Sequence, residues 1–380
     1  MPGPAGVYYL PPPQGGTDGS LPRREKHADC ETGNSSVDNE VKKKQLMKRW
    51  AVQIFKLILA GLLIYWVVCD IDFAHLNRIA SGRVAFFTFL CGIAIGIQLV
   101  LCAVRWRMLL KIQKIDIPFS RALSLSMQGT FFSLCMPGGA VGGDVVKAAF
   151  LLRETKKGQK LHGVTSIFID RVIGMLALFF LVALAVTFAM GRVLAFRAEV
   201  KYPVLVLYLL SLAGLAAGLA LFFQDMIFRI APARKCLDFA DRILRNRIRP
   251  VLESVRAYRG DPRRLFATFL LSILVMHPLL VCGLVLIVEG LTGTAAHAAP
   301  AAFASLLGST AAAIPVTPGG LGTRDKITQL VLESLGVGTN ASGFAPLLYT
   351  LAMIAVSLTG AFFFLADSWF RKHGTVQKEQ

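Results

Sequence analysis

The chain has 380 residues, of which 54% are hydrophobic and 17% charged, and its formal net charge is +18. With a mean hydropathy of +0.58, it is too apolar for a soluble protein, and several apolar runs reach the roughly 20 residues that a membrane-spanning helix needs. The basic residues are concentrated between these runs, which is typical of cytoplasmic loops rather than of a nucleic-acid interface. The seven cysteines form no CxxC pair and indicate neither a disulfide framework nor a metal site.

The chain divides into a polar tail and an apolar domain. Residues 1–47 are rich in proline, glycine and polar residues, and we expect a disordered cytoplasmic tail there. Six apolar runs of spanning length follow, at residues 50–68, 84–104, 164–190, 203–223, 265–288 and 343–366. They predict a transmembrane domain over residues 48–372, followed by a short cytoplasmic tail over residues 373–380.

Two further apolar segments are too short to span a bilayer. Residues 122–136 and 300–315 each run into a Pro-Gly-Gly sequence, and each is followed by a short helical segment, residues 144–152 and 323–335. These patterns predict two helix–break–helix hairpins that enter the membrane and leave it on the same side.

The distribution of basic residues predicts the orientation. With the basic tail inside, six spans return the carboxyl terminus to the same side, so we expect both termini in the cytoplasm. The inside loops then carry most of the Lys and Arg, including eleven in residues 224–264, and the outside loops carry few. We expect that segment to form amphipathic helices on anionic lipids of the inner leaflet. The pattern predicts a multi-pass protein of the cell (inner) membrane, and nothing in it indicates nucleic-acid binding.

The two breaks match each other. Pro137 and Pro318 each open a Pro-Gly-Gly sequence, and an aspartate, Asp144 or Asp325, follows seven residues later. Three spans separate the hairpins, so they are expected to enter from opposite faces. We therefore predict an all-α polytopic membrane protein with about six transmembrane helices and two re-entrant hairpins in an inverted repeat, an arrangement that places a binding site near the midplane.

The breaks favour an anionic ligand. The second helix of each hairpin, predicted to begin at Gly143 and Thr323, directs free N–H groups and its positive dipole end toward the break. The Asp-Arg pair at residues 170–171 lies inside the third span, either in a site or as a local ion pair near the interface. The candidate substrate-binding residues are Gly138, Gly139, Gly142, Gly143, Asp144, Lys147, Asp170, Arg171, Gly319, Gly320, Gly322, Arg324, Asp325 and Lys326. No catalytic residue, metal ligand or cofactor is predicted, and the first glycine-rich segment lacks the Lys-Ser/Thr that a P-loop requires.

Four segments carry a resemblance to a known family: RWRMLL (105–110), MPGGAVGGDVVKA (136–148), IDRVIGML (169–176) and PVTPGGLGTRDKI (315–327). They resemble the signature segments of the lysylphosphatidylglycerol synthase transmembrane, or flippase-like, family. The resemblance implies a helical fold with re-entrant hairpins and a role similar to that of a lipid flippase, which moves aminoacylated phosphatidylglycerol between leaflets. In the best-known members this domain is fused to an aminoacyl-transferase domain. A chain ending at residue 380 leaves no room for that domain, so we do not expect synthase activity.

These observations predict a translocase for a polar or anionic lipid, such as a phospholipid or a polyprenyl phosphate. Because no ATPase motif is present, we expect an ion gradient or downhill lipid flow to drive it. One alternative is a polyprenyl-phosphate-linked glycosyltransferase with Asp70 and Asp72 as its carboxylates. Another is a small-solute secondary transporter, which would share the repeat. The sequence specifies no oligomeric state.

Overall fold

The computed structural model describes residues 81–135, 140–155, 157–224, 248–313 and 322–376, and in these ranges the chain is helical, without strands. The helices are α1 (Gly82–Ile112), α2 (Phe119–Cys135), α3 (Ala140–Glu154), α4 (Lys160–Phe188), α5 (Met190–Leu194), α6 (Ala198–Phe222), α7 (Ile248–Arg256), α8 (Pro262–Leu271), α9 (His277–Thr292), α10 (Ala298–Ala313), α11 (Thr323–Ser334) and α12 (Thr339–Val376). The predicted all-α class is confirmed. The predicted tail at residues 1–47 and the predicted first span at residues 50–68 lie outside the described residues.

Five helices in the described ranges are long and apolar enough to cross a membrane. They are α1, α4, α6, the continuous helix Pro262–Thr292 that contains α8 and α9, and the Thr339–Phe364 part of α12. Each overlaps one of the predicted spans, and where a predicted span ends outside its helix it does so by no more than two residues. Large apolar side chains such as Phe89, Phe188 and Phe362 are exposed on them, as lipid contact requires. The chain is therefore a multi-pass membrane protein.

The helix Pro262–Thr292 contains a π-helical turn, Ser272–Met276, directly before His277. Pro278 follows in the chain, and a proline inside a helix has no N–H to donate and crowds the carbonyl of the residue four positions earlier. The wider π turn accommodates this defect without ending the helix. It also brings Ser272, which is fully buried, toward the charged residues described below.

The segment after α6 was predicted to contain amphipathic helices on the inner leaflet, and the structure describes its part from α7 onward. Here Val255 and Tyr258 are buried in a cluster with residues of α1 and α4. The Gln113 side chain at the end of α1 donates a hydrogen bond to the Ser254 carbonyl, 2.8 Å away. This part of the segment is thus packed against the ends of the spanning helices.

The helices on either side of the two Pro-Gly-Gly sequences form two packed pairs, α2 with α3 and α10 with α11. The Pro-Gly-Gly sequences between the members of each pair lie outside the described residues. Helix α11 begins at Thr323, as predicted, whereas α3 begins at Ala140, three residues before the predicted start. Gly142 and Gly143 are both buried inside α3, and Gly143 packs closely against Gly129 and Ser133 of α2. That the pairs re-enter the membrane remains a prediction.

Both pairs cross at a glycine of their first helix. In each pair, the residues of the second helix that contact this glycine lie six and ten residues after the proline of the Pro-Gly-Gly sequence. The contacts are Gly129 of α2 with Gly143 and Lys147 of α3, and Gly308 of α10 with Arg324 and Thr328 of α11. The two helix pairs are therefore built alike at their closest approach.

The interfaces between longer helices also occur in matching pairs. Helix α1 packs against α2, α4 and α12, and the helix Pro262–Thr292 packs against α10, α12 and α4. Likewise α2 packs against α12, and α10 packs against α4. An internal repeat in which α1–α4 correspond to α8–α12 predicts this pattern of exchanged contacts. The opposite orientation of the two halves across the membrane remains a prediction.

The crossing of α2 and α3 leaves no space for a side chain at Gly143. A methyl group there would lie 2.2 Å from the Gly129 carbonyl oxygen and 2.0 Å from Ser133 Oγ. We expect Gly143→Ala to lower the free energy of unfolding by about 1–3 kcal/mol, because a backbone atom cannot move aside without separating the helices. Thermal unfolding in detergent measures this. Gly96→Ala on α1 is the control, since nothing lies within 4 Å of the new methyl group; equal stability of the two variants would contradict the crossing.

Candidate functional site

Five charged side chains meet between α1, α3 and α4. They are Arg105 of α1, Asp144 and Lys147 of α3, and Asp170 and Arg171 of α4. The predicted span ends at residue 104, directly before Arg105. Helix α1 continues to Ile112, and Arg105 is 5% exposed. We refer to these five residues as the first charged cluster.

Arg105 joins three helices through its guanidinium group. Its Nε donates to Oδ1 of Asp170 at 2.8 Å, and its Nη1 donates to Ser272 Oγ at 2.9 Å. The group also packs on Gly174, where a methyl group would lie 3.1 Å from Nη1. The Gly174 carbonyl in turn lies 3.0 Å from His277 Nε2. A buried ion pair stabilises a fold only when such further hydrogen bonds satisfy it, and here they do.

Arg171 pairs with Asp144 and not with its neighbour Asp170. Its Nε and Nη2 donate to the two carboxylate oxygens of Asp144, each at 2.9 Å. Nη2 also lies 3.4 Å from the carbonyl oxygen of Ala140, the first residue of α3. Adjacent helix residues point about 100° apart, so Asp170 and Arg171 reach different partners. The interpretation of these two residues as a local ion pair is therefore wrong.

Lys147 is buried and makes no direct ion pair with a residue that the structure describes, although Asp144 and Asp170 lie in the same cluster. It is 7% exposed, and its Nζ lies 3.6 Å from the centroid of the Trp106 ring. The ring is held by a hydrogen bond from its Nε1 to Ser166 Oγ at 3.1 Å. Among the residues that the structure describes, none forms a hydrogen bond or ion pair with the Lys147 amine. With three cations and two carboxylates, the first charged cluster has a formal charge of +1.

A second charged cluster, Arg324 and Asp325 with Thr350, lies at the start of α11. Asp325 Oδ1 accepts from Arg324 Nε at 3.1 Å and from the Thr350 hydroxyl at 3.0 Å. Its Oδ2 accepts from the N–H of Gly322 at 3.1 Å. Gly322 has φ +86° and precedes α11, so Asp325 caps the helix from its third position. Arg324 and Asp325 are 7% and 2% exposed.

The structure places six of the ten predicted site residues that it describes in these two clusters. Asp144, Lys147, Asp170 and Arg171 belong to the first, and Gly322, Arg324 and Asp325 form the start of α11. Lys326 is partly buried on the same helix. The predicted residues Gly138, Gly139, Gly319 and Gly320 lie outside the described part of the chain, as do Asp70 and Asp72 of the glycosyltransferase alternative.

Several residues of the clusters were not predicted. Arg105 and Trp106 stand in the RWRMLL segment at the end of an apolar run, where a basic residue normally faces the cytoplasm. Thr350 lies in an uncharged stretch of a span and gives no signal in the sequence. The described residues contain no group of three or more His, Cys, Asp or Glu side chains suited to a metal ion.

Five helices of spanning length in the described part of the chain, with charged clusters packed among them and the shorter helices, define this chain as a polytopic helical membrane protein. The family model described as the lysylphosphatidylglycerol synthase TM region matches residues 53–360. The chain therefore belongs to that family, and the match includes both charged clusters and both Pro-Gly-Gly sequences. A UPF0104 membrane protein of Pyrococcus horikoshii is similar, with 26% identity over 238 residues that cover 60% of this chain and 70% of the relative. No solved structure matches the chain significantly.

Proposed function

We propose that the protein is a lipid translocase that moves a lipid with an anionic head group between the two leaflets. The observation that carries this proposal is the buried Lys147 amine. An unpaired cation inside a membrane domain is unfavourable by several kcal/mol. Such a group persists when an anionic ligand supplies the missing charge. The formal charge of +1 on the first charged cluster fits one phosphate group.

The surface beside the cluster favours a lipid over a small solute. Arg171 and Asp144 have 46% and 28% of their side chains exposed. Val141 shares a helix face with Asp144, Phe168 shares one with Arg171, and both apolar side chains are themselves exposed, at 62% and 49%. In a bilayer, the ion pair borders a surface that lipid tails can cover. A head group can then bind at the charges while its tails stay in the membrane.

The proposal also covers the orientation of the protein in the membrane and the energy source for transport. The protein lies in the cell (inner) membrane with both termini in the cytoplasm, as the basic loops favour. The second cluster serves the opposite leaflet, because the repeat is inverted in this proposal. Transport follows a lipid or ion gradient.

Reconstitution in vesicles tests the proposal. Fluorescent lipids with identical tails and either an anionic phosphatidic acid or a zwitterionic phosphatidylcholine head group are placed in both leaflets, and a membrane-impermeant quencher reports their exchange. We expect the protein to accelerate exchange of the anionic lipid between the leaflets at least about tenfold more than exchange of the zwitterionic lipid. This is the factor that one charge-assisted hydrogen bond supplies. Exchange no faster than in protein-free vesicles would refute the proposal. Flux of soluble phosphate without lipid exchange would favour a small-solute transporter instead.

A further inference from the structure

A small cavity lies between α9, α10, α11 and α12, beside the second charged cluster. Its polar lining consists of Ser305, Ser309, Arg324, Thr328 and Tyr349, and two apolar residues complete it. The cavity has room for about one water-sized group. It is therefore too small for a phosphate or a sugar but large enough for a single small ion.

Two buried hydroxyl groups in this lining have no partner. Ser305 and Thr328 are 6% and 3% exposed, and neither forms a hydrogen bond with another residue in the described ranges. Neither oxygen is fully enclosed by protein, so a small group in the cavity can reach both. Both residues line the cavity, so an occupant of the cavity is the available partner.

The cavity presents donors and no carboxylate. Arg324 uses three of its five N–H groups, on Asp325, Thr350 and the Met353 sulfur. Two N–H groups remain without a partner among the described residues. Asp325 does not line the cavity, and its oxygens already accept three hydrogen bonds. An occupant that accepts hydrogen bonds is thus favoured. Because Asp325 neutralises the charge of Arg324, the preference for an anion rests on the remaining N–H groups and the hydroxyl donors of the lining.

We propose that this cavity binds a small monovalent anion such as chloride, held by Arg324 and the hydroxyl groups of Ser305, Ser309 and Thr328. The anion site is separate from the head-group site at the first charged cluster, and its halide dependence is tested without any transport measurement. Thr328 stands ten residues after its Pro-Gly-Gly proline, the position that Lys147 occupies in the first hairpin. The two halves of the repeat therefore place a hydroxyl and an amine at equivalent positions, and each faces a different ligand.

Halide-dependent stability tests the anion site. The purified full chain in detergent is heated in chloride, in bromide and in gluconate at equal ionic strength. We expect a midpoint about 2–4 °C higher in either halide, because a ligand that binds the folded state alone raises its stability. The variant Ser305→Ala/Thr328→Val is expected to lose this shift. Ser211→Ala is the matched control and keeps the shift, since Ser211 is equally buried but donates to Leu207 within its own helix at 2.7 Å.

Three results would overturn the anion site. The first is an identical midpoint in chloride and gluconate, and the second is a full halide shift in the Ser305→Ala/Thr328→Val protein. The third is a rise of the unfolding midpoint when phosphatidic acid is added in gluconate, together with no rise in chloride. This result would place a lipid phosphate oxygen in the cavity. If the double variant does not fold, bromide anomalous scattering from wild-type crystals decides: the peak is expected between Ser305 and Arg324, and a peak elsewhere refutes the site.

Discussion

Replacing Asp170 by leucine is expected to lower the free energy of unfolding by about 3–5 kcal/mol, because Arg105 is left as a buried cation without its counter-ion. Arg105 is 5% exposed, and a guanidinium group cannot lose its proton to relieve the charge. Replacing Arg105 by methionine is expected to have a smaller effect, since the remaining carboxylate can neutralise itself by binding a proton. Unfolding in mixed micelles measures both changes.

The double variant Arg105→Met/Asp170→Leu is expected to recover most of the lost stability. Both charges are then absent, and apolar side chains fill their volume. Ser272 is not left unsatisfied, because its hydroxyl still donates to the Thr268 carbonyl at 2.8 Å. A loss in the double variant equal to the sum of the single losses would show that the two side chains do not act as a pair.

The sequence contains most of the information about the spans because hydrophobicity along a helix is a local property. Each of the five described spans overlaps an apolar run identified in the sequence, and α11 begins at the predicted residue. The start of α3 was placed three residues late. Helix propensity disfavours the glycines at 142 and 143, but Gly143 packs closely against α2, and this tertiary contact outweighs the local preference.

The charged network depends on contacts that are distant in the chain and was only partly predictable. Asp170 and Arg171 were found because charges inside a span are unusual, and Asp144 and Lys147 because they follow one of two matched Pro-Gly-Gly sequences. The pairing of these charges was not predicted, because Arg105 contacts Asp170, 65 residues away in the chain, and Ser272, 167 residues away. The predicted span ended at residue 104, so the burial of Arg105 inside the longer helix was not predicted. The π turn that positions Ser272 has no sequence signal beyond Pro278.

The two halves of the repeat share their geometry and differ in their chemistry. At the sixth and tenth positions after the Pro-Gly-Gly proline, the first half has Gly143 and Lys147, and the second has Arg324 and Thr328. Arg324 is neutralised by its neighbour Asp325, whereas the Lys147 amine has no partner in the described chain. A repeat that only stabilised the fold would not require an uncompensated charge in one half. The difference therefore directs attention to Lys147 as the residue that meets the substrate.

Replacing Lys147 by methionine is expected to reduce transport of an anionic lipid by about 10–100-fold, the loss of one charge-assisted contact with its head group. The same change is expected to leave stability unchanged or to raise it. It removes a buried charge whose desolvation is unfavourable, and the methionine sulfur can replace the amine against the Trp106 ring. Opposite effects on transport and stability are the signature of a residue retained for function. Lipid exchange in vesicles and thermal unfolding in detergent measure the two quantities.

Lys160→Met is the matched control, because Lys160 is exposed at the first residue of α4 and its loss removes the same charge outside the cluster. We expect this control to transport anionic lipid at the wild-type rate. Lys147→Arg retains the charge and is expected to keep part of the activity, although the larger guanidinium group has to fit beside Trp106. If Lys147→Met were destabilised by several kcal/mol and lost transport together with folded protein, Lys147 would be a structural residue. If it were stable and fully active, the anionic head group would have to bind elsewhere, and the positive charge of the first cluster would no longer support a lipid translocase.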